Sequence, residues 1–146
     1  MEKVLSIILC FSFVLFSGCI EDSSIEDTND TTIAKNMIYV DDDGGQNFTN
    51  IQSAIENASA EDIIYVYSGM YNETITINKS ITLLGDSKDK PTIFYDRGVY
   101  NTTDVIQINA NNCTLNGFKI QASPGFLEVI GISISSSNNV ISNNSI

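Results

Sequence analysis

The sequence predicts an all-β solenoid, in which short strands wind into stacked coils. Three observations support this. Apolar residues recur at alternate positions, a set of apolar and Asn residues returns after 26 positions (for example 132 − 106), and a Gly or Asn stands at a fixed phase of the repeat. A single coil cannot bury its apolar side chains, whereas stacked coils place like residues above like. Residues 37–146 are enough for about four coils of roughly 22–30 residues each.

The chain opens with a predicted targeting segment, residues 1–18. A short charged start leads into an apolar run, Val4–Phe16, which suits a secretory signal and is short for a membrane span of about 20 residues. Two small residues then precede Cys19, an arrangement that resembles the lipobox of prokaryotic lipoproteins. The resemblance implies cleavage before Cys19 and attachment of lipid to it. An uncleaved helical anchor to about Ile20 is the alternative, and both place the domain outside the cytoplasm at a membrane.

Residues 19–36 are acidic and polar without apolar periodicity, which predicts a flexible tether between the anchor and a domain at 37–146. The domain begins with a strand at Met37–Val40, which an acidic, Gly-containing turn at 41–45 ends. Thr49 and Gln52 fit a capping box that would start a short helix. The apolar stripe of this helix consists of Ile51, Ala54, Ile55 and Ala58. A second strand is predicted at 63–67.

The remainder of the domain carries the repeat. Alternating apolar residues first stand at Ile75, Ile77, Ile81 and Leu83. The 26-residue repeat then relates Ile106, Ile108, Asn112, Leu115 and Ile120 to Ile132, Ile134, Asn138, Ile141 and Ile146. Gly85, Gly117 and Asn143 occupy one phase, and these residue types tolerate left-handed backbone, so we expect a sharp corner in each repeat. Asn112 above Asn138 predicts either an amide ladder or an ordinary surface turn.

The periodicity also predicts which side chains face the core. The inward residues are expected to be Ile108, Cys113, Leu115, Ile120, Ile134 and Ile141. The repeat runs in phase to Ile146 without a polar capping coil, so we expect either a truncated reading frame or end-to-end self-association through the last coil.

Composition excludes several classes of function. Seven Lys and Arg oppose 18 Asp and Glu, a net charge of −11, which leaves no basic face for nucleic acid. The absence of His excludes Ser-His-Asp and Cys-His catalysis and the usual His-containing zinc sites. Cys10 lies in the apolar run and Cys19 is the predicted lipid site, so Cys113 has no disulfide partner and is expected to be a small buried residue.

Two blocks of sequence carry a family resemblance. The first consists of Ile38-Tyr39-Val40, Gly45, Phe48-Thr49, Ile51-Gln52, Ala54-Ile55, Ile63, Val66, Gly69, Tyr71, Glu73, Ile75, Ile77, Ile81, Leu83 and Gly85. The second consists of Asn116–Ile120, Gly131-Ile132 and Asn138–Ile146. Together they resemble the right-handed parallel β-helix proteins of the pectin-lyase-like superfamily, in particular the start of pectin methylesterases and of NosD-type surface proteins. The resemblance implies a right-handed parallel β-helix whose amino end is capped by the early helix.

The resemblance does not by itself supply an active site. Pectin methylesterases use two Asp and an Arg on later coils, and the single Arg here, Arg97, lies outside such motifs, so no catalytic residue is assigned. Asp41–Asp43 offer oxygen ligands for calcium, but three consecutive carboxylates in an extended segment would not converge. They are therefore expected to serve the turn, with a surface calcium site as the alternative, and no metal site and no cofactor are assigned. The alternative is that Glu73 and Asp86 form an acid–base pair across a groove.

Two sets of surface residues are candidates for interaction with sugars. Tyr65, Tyr67 and Tyr71 are candidates for stacking on sugar rings, with packing in the core as the alternative. Asn-x-Ser/Thr sequons occur at eight asparagines, of which Asn47, Asn72 and Asn101 are the chosen candidates for N-glycosylation.

The function predicted from the sequence is a non-catalytic, membrane-anchored surface scaffold or carbohydrate-binding module. Its expected partners are the membrane and a cell-surface polysaccharide. The alternative is the amino-terminal part of a polysaccharide-active, pectinesterase-like enzyme. A second alternative, from the NosD resemblance, is copper delivery, although the chain has no His and only three Met as soft ligands.

Overall fold

The computed structural model describes residues 35–96, 104–122 and 130–146. This part of the chain contains one short helix and eleven short strands. In chain order they are β1 (Met37–Val40), α1 (Ile51–Asn57), β2 (Ile63–Val66), β3 (Met70–Asn72), β4 (Ile75–Ile77), β5 (Thr82–Gly85), β6 (Thr92–Tyr95), β7 (Ile106–Ile108), β8 (Thr114–Asn116), β9 (Lys119–Ala122), β10 (Ile132–Ile134) and β11 (Val140–Ser142).

The strands form three parallel sheets that the chain visits in rotation. The first sheet has the order β1-β2-β5-β8-β11, the second β3-β6-β9 and the third β4-β7-β10. From β2 onward, successive strands fall in the first, second and third sheets in turn, which is the winding of a parallel β-helix. The four steps along the first sheet correspond to the four predicted coils. The predicted fold is confirmed.

The 26-residue repeat is the register between adjacent coils. Ile106 pairs with Ile132, and Leu115 pairs with Ile141, so the repeated residues stand directly above one another. The earlier copy is also in register, because Leu83 pairs with Leu115 across β5 and β8. Stacking of identical positions therefore forms apolar columns through the interior.

The core is formed by the inward side chains of all three sheets together with α1. Alternate residues of the strands are buried, as the period of two predicts. The largest fully buried side chains are Phe118, Ile51, Ile55, Ile64, Ile75, Ile77, Ile81, Leu83, Ile93, Ile106, Ile108 and Leu115. Cys113 is also buried, at 1% exposure, and its sulfur lies 3.2 Å from the Ala110 carbonyl oxygen and 3.3 Å from that of Lys79, so its single S–H can donate to either. The predicted burial of Cys113 and Ile120 is confirmed.

Two predicted core residues are exposed. Ile134 is 48% and Ile141 36% exposed, although both stand in register with buried residues of the preceding coil. The alternation places their side chains correctly, but burial in a solenoid requires a neighbour on each side. Within the described residues these two isoleucines have a neighbouring coil on one side only.

The predicted corners occur, but Gly117 and Gly85 are required there for different reasons. Gly117 has a φ of +87° and Asn143 a φ of +56°, which confirms left-handed backbone at this phase. Gly85 is not left-handed. A Cβ on Gly85 would instead collide with the backbone carbonyl of Gly117 and lie 2.9 Å from Pro91 Cγ. Glycine is therefore required at position 85 because two coils approach closely there.

The prediction that the side chains of Asn112 and Asn138 form an amide ladder is wrong. Both residues are left-handed, with φ values of +58° and +60°, and both are exposed at a corner. The amide that links the coils belongs to Asn139, whose Oδ1 accepts a hydrogen bond of 2.8 Å from the backbone N–H of Cys113. Because Asn139 replaces a buried thiol in the column, its amide can reach the backbone of the coil below.

Helix α1 packs its predicted stripe against the strands of the first coils. Ile51, Ala54, Ile55 and Ala58 are all buried. The predicted N-cap at Thr49 is wrong, because the side chain of Asn50 accepts the hydrogen bond from Ser53 N–H at 2.9 Å. Gln52 does not complete a capping box, since its Oε1 accepts a hydrogen bond from the backbone N–H of Thr76 at 2.9 Å.

Candidate functional site

The outer face of the first sheet carries a cluster of three tyrosines. Tyr39 on β1 pairs in register with Tyr65 on β2, and Tyr67 follows β2 directly. The ring centroids of Tyr65 and Tyr67 lie 5.2 Å apart in an edge-on arrangement, and Tyr39 lies 6.2 Å from each. All three rings are half-buried. We refer to Tyr39, Tyr65 and Tyr67 as the tyrosine cluster.

A carboxylate adjoins the tyrosine cluster. Asp86 lies close enough to Tyr65 for its negative charge to act on the phenol. Burial, followed by the negative charge of Asp86, raises the pKa of Tyr65 above its usual value of 10.0. The phenol therefore stays protonated at neutral pH. The cluster thus presents aromatic rings beside a carboxylate on the outer face of the sheet.

Tyr71 does not belong to this surface. Its ring is 2% exposed, and its hydroxyl donates to the backbone carbonyl of Tyr67 at 3.0 Å. Burial strongly raises its pKa, in agreement with a phenol held inside the protein. The prediction that Tyr71 stacks on sugar is therefore wrong, because Tyr71 is the inward residue of β3.

Sequence reasoning missed Tyr39. Alternation along β1 places it opposite the buried Val40 and therefore on the outer face, but only the register of β1 on β2 brings it against Tyr65. Stacking by Tyr65 and Tyr67 stays a prediction.

The expectation that Asp41, Asp42 and Asp43 would not converge is wrong. One carboxylate oxygen from each lies within 4.8 Å of the others, because the segment is a turn and not an extended strand. The carboxylates have partners in the protein. Asp42 Oδ2 accepts from Met70 N–H at 2.9 Å, and Asp41 Oδ1 accepts from Asp43 N–H at 3.2 Å.

Glu73 and Asp86 have separate tasks. The Glu73 carboxylate accepts hydrogen bonds from the N–H groups of Ile51 and Gln52, at 2.8 and 2.9 Å, and so holds the start of α1. Asp86 lies near Tyr65, and its Oδ1 accepts from Lys88 N–H at 2.9 Å. This arrangement gives Glu73 a structural function and leaves no support for an acid–base pair.

Several predicted sites can be located only in part. Asn47 and Asn72 are exposed, as a modified residue requires, whereas Cys19, Arg97 and Asn101 lie outside the described residues. Among residues 35–96, 104–122 and 130–146, no helix has the length and apolar character needed to cross a membrane.

Two curated proteins with sequences similar to this chain are named as pectinesterases. The chain is 35% identical over 75 residues to the probable pectinesterase 56 of Arabidopsis thaliana, covering 47% of this chain and 24% of the relative. It is 33% identical over 100 residues to the probable pectinesterase/pectinesterase inhibitor 6 of the same plant, covering 62% of this chain and 18% of the relative. The chain thus spans less than a quarter of each curated relative. No family model matches.

A solved structure shows the same fold. Pectin methylesterase from carrot superposes with a TM-score of 0.64 at 16% identity, over 77% of this chain and 40% of the carrot chain. Because the similar proteins are named as esterases, the expectation that the chain is not an enzyme is contradicted. Sequence and structure agree that the chain is a right-handed parallel β-helix of the pectin-lyase-like type, the fold of the carrot pectin methylesterase.

Proposed function

We propose that this chain supplies the amino-terminal coils of a polysaccharide-active, pectinesterase-like β-helix enzyme that acts outside the cytoplasm. The observation that carries the proposal is the agreement of two sequence relatives and one structural relative on pectinesterases. Helix α1 supports the amino-terminal placement, because its buried stripe closes that end of the stack. The predicted lipid at Cys19 would keep such an enzyme at the membrane.

The tyrosine cluster is the proposed contact with polysaccharide. Tyrosine rings stack on the apolar faces of sugar rings, and their hydroxyls hydrogen-bond to sugar hydroxyls. Tyr39 and Tyr65 stand on adjacent strands, which are about 4.8 Å apart in any sheet, and Tyr67 extends the surface beyond β2. This surface matches an extended chain of sugar rings better than a single small ligand.

Charge favours a methyl-esterified polysaccharide over an acidic one. The chain carries a net charge of −11, and Asp86 lies against the cluster. A polygalacturonate with free carboxylates would be repelled, whereas its methyl ester is neutral at the same positions. We therefore expect affinity to fall as the ester groups are removed, which would help an esterase to release its product.

Binding and turnover test the proposal together. Purified protein is mixed with highly methyl-esterified homogalacturonan or with its de-esterified form, and binding is measured by calorimetry and methanol release by an enzymatic assay. We expect tighter binding of the esterified polymer, with the preference decreasing as salt screens the charges. The double variant Tyr65→Ala/Tyr67→Ala should bind about tenfold more weakly.

Phe94→Ala provides the matched control, because Phe94 is a half-buried aromatic residue on the second sheet. Circular dichroism of each variant verifies that the fold persists. An absence of both binding and methanol release, with either polymer, would contradict the proposed function. Equal loss in the Phe94 variant would show that the tyrosine cluster is not the contact surface.

A further inference from the structure

The asparagines of the described residues divide into two groups. Eight lie outside Asn-x-Ser/Thr sequons, and seven of these use their side chains in hydrogen bonds that hold the fold. The seven are Asn36, Asn50, Asn109, Asn111, Asn116, Asn139 and Asn144. Most sequon asparagines differ from this group, because their side-chain amides make no hydrogen bond among the described residues.

All six sequon asparagines of the described residues are exposed: Asn47, Asn57, Asn72, Asn78, Asn112 and Asn143. Two of them are engaged within the protein. Asn57 Nδ2 donates to the carbonyl of Ser53 at 2.8 Å, and Asn72 Oδ1 accepts from the backbone N–H of Asp96 at 3.2 Å. The side-chain amides of the other four make no hydrogen bond in the described part of the chain.

The third residue of the sequon, Ser or Thr, also decides whether the site can be modified, because the modifying enzyme must reach both the Asn amide and this hydroxyl. Ser80, two residues after Asn78, donates its hydroxyl to Glu61 Oε1 at 2.9 Å. Thr114, two residues after Asn112, is half-buried within β8, which is paired on both sides. Neither sequon is accessible as a unit in the folded protein.

Asn47 and Asn143 remain. Asn143 lies at a left-handed corner. The middle residue of its sequon, Asn144, accepts a hydrogen bond from Phe118 N–H and donates one to the Leu115 carbonyl, so this sequon is held against the preceding coil. Asn47 lies in the loop between β1 and α1, where both it and Thr49 are exposed and neither side chain has a partner among the described residues.

We propose that Asn47 is the principal N-glycosylation acceptor among these six sequons. In the reaction, Asn47 Nδ2 forms a bond to C1 of an oligosaccharide that is carried on a lipid phosphate. The bond from C1 to the phosphate oxygen breaks, the lipid phosphate leaves with the electron pair, and the amide proton passes to a base of the transferase. The inference rests on the extracytoplasmic location proposed above and not on polysaccharide binding.

Mass spectrometry of the protein isolated from its source organism tests the assignment. We expect the peptide containing Asn47 to carry a glycan mass at the highest occupancy, and the peptide containing Asn72 to be unmodified. Asn47→Gln and Thr49→Ala should each remove this mass, and Thr49→Ser should retain it. Asn72→Gln is the matched control and should leave the occupancy of Asn47 unchanged.

The outcomes separate the two proposals. An unmodified Asn47 beside a glycosylated Asn72 would overturn the assignment while supporting the extracytoplasmic location. A protein without glycan at any sequon would overturn the assignment as well, and methanol release by that same protein would leave the proposed enzyme function standing.

Discussion

At the scale of single residues, Asp62 is a buried carboxylate on which several backbone groups depend. It is 3% exposed. Oδ2 accepts from Ser59 N–H at 2.8 Å, and Oδ1 accepts from the backbone and side-chain nitrogens of Asn36 at 3.0 and 3.2 Å. The Ser59 bond is the main cause that holds the pKa of Asp62 below its ordinary 3.8, against burial, which raises it. Asp62 thereby ties the start of β1 to the turn after α1.

Asp62→Asn should destabilise the protein by about 1–3 kcal/mol at pH 7, because one acceptor oxygen becomes a donor facing N–H groups. Since the folded-state pKa is lowered, the stabilisation by Asp62 is present above 3.8 and is lost as the pH falls through the folded-state pKa. The difference between wild type and variant, measured by urea unfolding, should therefore shrink below this pH. Asp89→Asn, at an exposed site, is the control. A difference that does not vary with pH would contradict this account.

At the scale of elements, α1 is held at both ends by one stretch of chain around β4. Glu73 accepts the first two N–H groups of the helix, and Lys79 Nζ donates to the carbonyls of Ile55, Glu56 and Ala58 at 3.1, 2.7 and 2.7 Å. The negative group lies at the positive end of the helix dipole and the positive group at the negative end. A seven-residue helix is marginal by itself, so these contacts explain how α1 persists as a cap.

Lys79→Met should lower the free energy of unfolding by about 1–3 kcal/mol, since three carbonyls lose a charged donor while the aliphatic stem is preserved. Hydrogen exchange should accelerate in α1 more than in β7 or β8. Lys88→Met, at an exposed position, should change stability by no more than about 0.5 kcal/mol. Equal effects of the two substitutions would show that Lys79 does not support the helix.

At the scale of the whole molecule, stability comes from columns of like residues in successive coils. Ile77, Ile108 and Ile134 form one such column, with Ile108 fully buried between the other two. Ile134 has the same residue type and the same phase but is 48% exposed. Comparing Ile108 with Ile134 therefore isolates the stability that stacking between two coils adds, because residue type and phase are the same at both positions.

Ile108→Ala should cost about 2–5 kcal/mol, whereas Ile134→Ala should cost less than half of that, because only a buried side chain leaves a cavity. Ile108→Asp should abolish cooperative unfolding, since a carboxylate would be buried without a partner. Ile134→Asp should still fold. Urea unfolding followed by circular dichroism measures all four variants. Similar losses at both positions would mean that residue 134 is covered in solution.

The sequence by itself determined the features that depend on periodicity. Alternating isoleucines predicted the strands, the 26-residue offset predicted the register of the later coils, and the single stripe of α1 predicted its buried face. These features are local or repeat without interruption, so the residues that specify them are visible in one dimension. The same pattern correctly placed Cys113 in the core.

Only the tertiary structure decided which side chains from different coils meet. Coil length varies along the first sheet, from 19 residues between paired Ile63 and Thr82 to 32 between paired Thr82 and Thr114 (82 − 63 and 114 − 82), so earlier contacts do not follow the repeat. The register of β1 on β2 placed Tyr39 against Tyr65. The backbone N–H of Thr76 binds the Gln52 side chain, which therefore does not complete a capping box, and Asn50 is the N-cap of α1. Such contacts depend on the register between adjacent coils, which the packing of the core and the lengths of the turns determine together.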